Sequence, residues 1–218
     1  MNIGIIGSGE VGQTLAKGFL KYGYPVMIGS ISPSKLEDWS KRKGMGAAIG
    51  TFDQASEFGE LLVLAVKGQV AKEVLEELKS ERIQDKIVID VTNPIDETKT
   101  PDNGVLHFTT SLESSFMEEV QNGFPSVRFV KAFNSVSSAY MVDPPFESKP
   151  TMFICGNDNT AKEVVVGILE KFGWEAEDMG GVESARAIEP LSMLLCIPGI
   201  LRNDWSHAYK LLRPSSKP

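Results

Sequence analysis

Residues 2–12 read Asn2-Ile3-Gly4-Ile5-Ile6-Gly7-Ser8-Gly9-Glu10-Val11-Gly12, and this stretch decides the fold. A β-branched apolar run ends in glycines spaced GxGxxG. A stretch follows with Val11, Leu15, Phe19 and Leu20 near helical spacing. The glycine spacing alone is common; set between a strand and a helix it has a mechanism. Gly7 permits the tight turn, Gly9 lets the backbone approach a diphosphate, and Gly12 lets the helix pack close to the strand. Unpaired amides at the helix start, at the positive end of its dipole, complete an anion site.

Outward from this point the chain alternates short apolar runs with amphipathic stretches, the pattern of a parallel sheet covered by helices. Strands are expected at Pro25–Ile28, Ala47–Ile49, Leu61–Val66, Lys86–Val91, Val127–Ala132, Thr151–Cys155 and Glu175–Asp178. Helices are expected at Val11–Leu20, Ser34–Arg42 with Ser32 or Ser34 as cap, Val70–Leu78, Leu112–Val120 and Asn157–Phe172, opened by Asn157 or Asp158. Asp53 is the expected cap of a small helix after the third strand. Everything after Val182 reads as helix, broken or kinked at Pro190 and Pro198. The pattern is an α/β, Rossmann-type, doubly wound and mostly parallel sheet over residues 1–180. A short helical C-terminal segment, 181–218, packs on it, and the change falls near Gly180–Gly181.

The chain has 218 residues, 42% apolar and 23% charged, with a net charge of −7. This is globular composition, and no basic cluster offsets the acidity, so nucleic acid and anionic membranes are not expected partners. Cys155 and Cys196 form neither a metal spacing nor a disulfide framework, and two histidines are too few for a multi-histidine metal site. The most apolar stretch, Leu191–Leu201, is interrupted by Pro198 and Gly199 and at about eleven residues is short for a bilayer span. With no leader before the first strand, a cytoplasmic location is expected.

The end of strand two chooses the cofactor. A site for NAD usually carries an acidic residue there to hold the ribose hydroxyls. Here the chain reads Met27-Ile28-Gly29-Ser30-Ile31-Ser32-Pro33-Ser34-Lys35, with no acid before Glu37. Hydroxyls and an ammonium attract a 2′-phosphate that a carboxylate would repel, so NADP(H) is expected over NAD(H).

The run NIGIIGSGEVGQTLAKGF, followed in order by IGS, LAV, DVTNP, VKAFNSV and MVDP, resembles the NADP-dependent reductases of coenzyme F420, a deazaflavin. The same fold forms the cytosolic domain of six-transmembrane metalloreductases. The resemblance covers roughly residues 1–200 and implies a homodimer. By position it implies that Ser8, Gly9, Glu10 and Val11 wrap the pyrophosphate. It also implies that Ser30 and Lys35, helped by Ser32, hold the 2′-phosphate, where Ile31 replaces the family's arginine. Ala65, Val66 and Lys67 would line the cleft. Asn93 and Pro94 would lie near the ribose and nicotinamide, and Ala132, Phe133 and Asn134 would form the nicotinamide floor through backbone amides.

No nucleophile–base pair is evident: His107 reads as a core or rim residue and His207 as an exposed one on the terminal helix. Hydride transfer between a nicotinamide and a flavin-like ring needs no such pair, since the cofactors carry the chemistry and the protein supplies orientation. If a general acid were needed, Lys67 and Lys131 are the candidates. The expected acceptor is a small molecule, F420 or else FMN or FAD. Its apolar wall is drawn from Phe116, Met141, Pro144, Pro145, Met193, Leu194, Leu195 and Pro198. The alternatives are a pyrroline-carboxylate or imine-type reductase, for which about 35 terminal residues are short of a helical dimerisation domain, and a non-catalytic NADPH sensor.

Overall fold

The computed structural model describes residues 1–78 and 80–214. Its strands are β1 (Ile3–Ile6), β2 (Val26–Gly29), β3 (Ala48–Gly50), β4 (Leu61–Leu64), β5 (Ile87–Asp90) and β6 (Arg128–Lys131). They pair in parallel in the order β3-β2-β1-β4-β5-β6. β1, β4 and β5 are buried at every position, which is why β1 and β4 read as unbroken apolar runs; β5 ends in the buried Asp90. The order reverses between β1 and β4, and ligands bind open α/β sheets at such a switch point, beyond the carboxyl ends of the strands.

Helices α1 (Glu10–Lys21), α2 (Glu37–Arg42), α3 (Phe52–Phe58), α4 (Gly68–Glu77), α5 (Ser80–Ile83) and α6 (Phe116–Gly123) fall between these strands. The first buries Leu15, Ala16 and Phe19 against the sheet. Several boundaries correct the sequence reading. Residues 34–42 split into a 3-10 turn, Pro33–Leu36, and the short α2, and neither receives a side-chain cap from Ser32 or Ser34. Thr51, not Asp53, caps α3, in a reciprocal pair with Gln54. The helix expected at Leu112–Val120 starts only at Phe116, where the Ser115 hydroxyl accepts from the Glu118 amide.

β7 (Thr151–Ile154) and β8 (Glu175–Asp178) form a parallel pair around α7 (Asn159–Lys171), whose cap is Asp158. One antiparallel bridge, Lys131 to Cys155, joins this pair to the main sheet. A 3-10 turn, Val182–Ser184, then leads into α8 (Ala185–Ile188) and α9 (Leu191–Arg202). The helical run Val182–Arg202 is longer than the apolar stretch first singled out, and by length and composition alone could cross a membrane; core helices pass the same test. The expectation that helix continues to the end is corrected. Asn203 turns left-handed, with φ 53°, and the described residues beyond it are neither helix nor strand. They strap back over β7: the Thr151 amide donates to Tyr209 O at 2.8 Å, and the Leu211 amide donates to Thr151 Oγ1 at 3.0 Å. Hydrogen-bond partners across the chain supply what a helix would have supplied internally.

The helical end is fixed to the sheet by a buried ionic cluster. Lys131, at the end of β6, is fully buried, with Nζ 2.7 Å from Asp90 and 3.0 Å from Glu189. It also donates to the Thr92 carbonyl at 3.0 Å. Burial alone would lower the Lys131 pKa, but the two carboxylates outweigh it and hold the ammonium above its ordinary value. Glu189 in turn accepts from the Phe116 and Met117 amides, each at 3.0 Å, and so caps α6 from 73 residues away in sequence. Replacing Lys131 by Met leaves two carboxylates buried without their cation. We expect a loss of ~3–5 kcal/mol in urea denaturation; a change under about 1 kcal/mol would show that the cluster does not hold the two parts together.

Candidate functional site

The turn after β1 is built by close backbone approach. Gly7 has φ 129°, and a Cβ there would lie 2.2 Å from the Ala65 carbonyl oxygen. A Cβ on Gly12 would lie 2.2 Å from the Gly7 carbonyl oxygen, so α1 can seat on the turn only with glycine there. Gly9 differs: a Cβ would meet nothing within 4 Å, because it would enter open space above the turn. Helices α3, α6 and α7 each start with a side-chain cap, whereas Gly9 gives α1 none and leaves its first amides free for an external acceptor.

A cavity of about 500 Å³ opens at this turn and gathers Gly7, Ser8, Gly9, Ser30, Ser32, Lys35, Ala65, Val66 and Lys67, together with Ile31. Among the described residues no carboxylate lines it. The hydroxyls are organised by one another: Ser8 and Ser30 share a hydrogen bond at 3.0 Å, and the Ser32 amide donates to Ser30 Oγ at 3.1 Å. Ile31 stands on the rim, 86% exposed, which leaves Lys35 as the cation beside the hydroxyls. Lys67 pairs with Glu97 at 2.7 Å, bridging the segments after β4 and β5.

Glu10 and Val11 lie on the other side of the turn. They line a second cavity, about 420 Å³, with Ser137, Ser138, Leu195 and Trp205. Ser138 donates to Glu10 Oε1 at 2.6 Å. Of the apolar wall expected from sequence, only Leu195 is among these residues. Phe116 and Met141 are buried in the core, and Met193 lines a separate hollow with His107 and Arg186. Trp205 went unnoticed as a wall residue. No motif marks it, and only the turn at Asn203 brings it back beside α1.

The residues beyond β5 and β6 are tied internally. Asn93 donates to Asn134 O at 2.8 Å, and Asn134 donates to Asn93 Oδ1 and to Ile188 O at 3.1 and 3.0 Å. Pro94 is buried beside them. Ala132 and Phe133 point into the core, and their amides are engaged by Asp90 O and by the Met152 sulfur. Two of the three amides expected at a nicotinamide floor are therefore already occupied. Phe133 has φ 61°, strained for a bulky side chain, and this turn ends β6 abruptly.

Lys131 is no general acid, since its three N–H groups meet Asp90, Glu189 and the Thr92 carbonyl in a site closed to solvent. Burial pushes the Cys155 thiol up to about 12, which keeps it protonated near neutral pH. His107 is half-buried, 3.3 Å from the Asp102 carboxylate. His207 is not on a helix and is half-buried, correcting the expectation of an exposed helical residue.

Residues 2–94 match the model of a family described as NADP oxidoreductase, coenzyme F420-dependent. Over this stretch the chain is similar to that family. The F420-dependent NADP reductase of Methanocaldococcus jannaschii is 29% identical over 206 residues, covering 89% of this chain and 91% of its own. A crystal structure described as a putative F420-dependent NADP reductase from Arthrobacter sp. FB24 is 26% identical, with TM-score 0.90, and covers 98% of this chain and 100% of its own. Rat metalloreductase STEAP3 is 27% identical over 196 residues, and the chain spans only 36% of that protein's length. An imine reductase from Streptomyces aurantiacus, 18% identical with TM-score 0.68, shares the fold. The family match ends at Asn93-Pro94 and so includes the first cavity; Ser137, Ser138, Leu195 and Trp205 lie beyond it.

The two glycines separate binding from folding. Gly9→Val should leave the thermal midpoint within a few degrees of the parent and abolish NADPH binding in calorimetry, because its side chain fills only open space. Gly12→Val should unfold the turn. If Gly9→Val bound NADPH as the parent does, the open space above the turn would not be the diphosphate site.

Proposed function

We propose that the chain is an NADP(H)-dependent reductase that passes hydride between the nicotinamide and a flat, flavin-like acceptor, with deazaflavin F420 as the first candidate and FMN or FAD behind it. The observation that carries this reading is the lining of the first cavity: among the described residues it has three hydroxyls, the Lys35 ammonium and no carboxylate, with Lys67 paired to Glu97, next to a glycine turn with free amides. The residues suit the dinucleotide. The space above Gly9 fits the diphosphate, and the free amides of α1 meet its charge. Ser30, Ser32 and Lys35 can hold the 2′-phosphate, with Lys35 taking the place of the family's missing arginine. Ala65 and Val66 flank the path toward Asn93 and Asn134, whose mutual hydrogen bonds hold the floor rigid.

When bound, NADPH supplies the hydride itself, so the protein needs no acid or nucleophile at the reacting atoms. Its contribution is to fix two rings face to face and keep water away. The described residues fit that division of labour: the buried lysine and cysteine serve packing, and the polar groups at the cavities bind. A second cavity beside the glycine turn offers room for an acceptor, which favours an enzyme over a sensor. The imine-type reading rests on likeness of fold alone.

Lys35→Ala should lower the preference for NADPH over NADH by roughly tenfold, the scale of one lost charge-assisted phosphate contact. The ratio of the two dissociation constants measures it. An unchanged ratio would place the 2′-phosphate elsewhere. NADPH oxidation followed in parallel with F420, FMN, FAD and quinones identifies the acceptor.

A further inference from the structure

The second cavity has two unlike walls. Val11, Leu195 and Trp205 are apolar, whereas Glu10, Ser137 and Ser138 are polar, with Glu10 and Ser138 joined by the 2.6 Å hydrogen bond. Its most specific element is Trp205. The helix α9 ends at Arg202, and Asn203 reverses the chain in the left-handed conformation. The Asp204 amide returns to Pro198 O at 3.2 Å, and the Trp205 indole N–H reaches Asn203 Oδ1 at 3.3 Å. These bonds lay the indole flat on Gly199: a Cβ at that glycine would come within 2.5 Å of Cδ2, Cε2 and Cε3 at once. One face of the ring is thus spent on packing. The residue is still 37% exposed, and it lines the cavity beside Val11.

We infer that Trp205 is the stacking face for the acceptor ring and, with Glu10, selects what acceptor enters. An indole packed on one side and partly exposed at a cavity suits a flat aromatic ring, because offset stacking requires a rigid partner plane. The polar wall suits a ring whose one edge carries N–H and C=O groups: Glu10 accepts through the oxygen not engaged by Ser138, and the Ser137 hydroxyl donates. A flavin or deazaflavin tricycle has such an edge and an apolar opposite edge. The Glu10 carboxylate also repels small anions, which argues against a pyrroline-carboxylate or hydroxy-acid substrate in this cavity. Ligand cavities commonly measure roughly 300–1,000 Å³, and this one, at about 420 Å³, lies directly across the glycine turn from the dinucleotide cavity.

This inference rests on the reading of the chain as an NADP(H) reductase, and calorimetry on the intact protein tests the two separately. Binding of FMN and of F420 is measured with NADP⁺ present, in the parent, W205A and W205F. W205A should weaken the ring ligand by roughly tenfold, whereas W205F, which keeps a ring over Gly199, should stay within about threefold. NADPH affinity should be the same in all three. The FMN and F420 arms tell a flavin from a deazaflavin acceptor. The inference is overturned if neither compound binds the parent, if W205A binds both as the parent does, or if W205A loses NADPH affinity by the same factor, which would put the nicotinamide itself under the indole. A parent that binds no NADPH overturns the functional reading instead.

Discussion

One fully buried ammonium ties the molecule together. Lys131 joins the ends of β5 and β6, the start of α6 and the junction of α8 with α9, through Asp90, Thr92 and Glu189. Two carboxylates against one ammonium would leave a net negative charge in the core. Glu189 is relieved by the two amides at the start of α6, whose dipole adds positive character there. Such clusters contribute little net stability relative to an apolar replacement, but they are unforgiving of a missing partner. Their effect is geometric: the helical end can dock in one position only, and that position closes one side of the second cavity.

The same economy governs the glycine turn. Backbone meets backbone at Gly7 and Gly12, and the volume their side chains would have taken brings α1 close to β1. The free amides at the start of α1 therefore lie directly above the carboxyl ends of β1 and β4. The starts of α3, α6 and α7 satisfy amides of their own through side-chain caps, whereas α1, like α4, has none.

The strands and the glycine turn were legible because they depend on local pattern: runs such as Leu61–Leu64 have no polar position to give, and the turn needs glycine at fixed offsets. The cap of α3 was missed because Asp53 and Thr51 are both good caps, and only the reciprocal bond with Gln54 separates them. Lys131 reads in sequence as a candidate acid; its role depends on Glu189, far along the chain. The irregular tail was misread as helix because Leu211 and Leu212 are good helix formers, and what wins there is pairing with Thr151. Phe116 and Met141 were assigned to the acceptor wall on their apolar character alone, which core and cavity share.

The segment that carries Trp205 is pinned at both ends, by the Asn203 reversal and by Tyr209 on β7, and of what lies between, Ala208 packs against the core and Trp205 against Gly199. A short span anchored in this way can exchange its residues while the sheet, the glycine turn and the buried cluster stay untouched. Change there is inexpensive in foldability, so lineages sharing this scaffold are free to diverge in partner chemistry while inheriting one nucleotide grip.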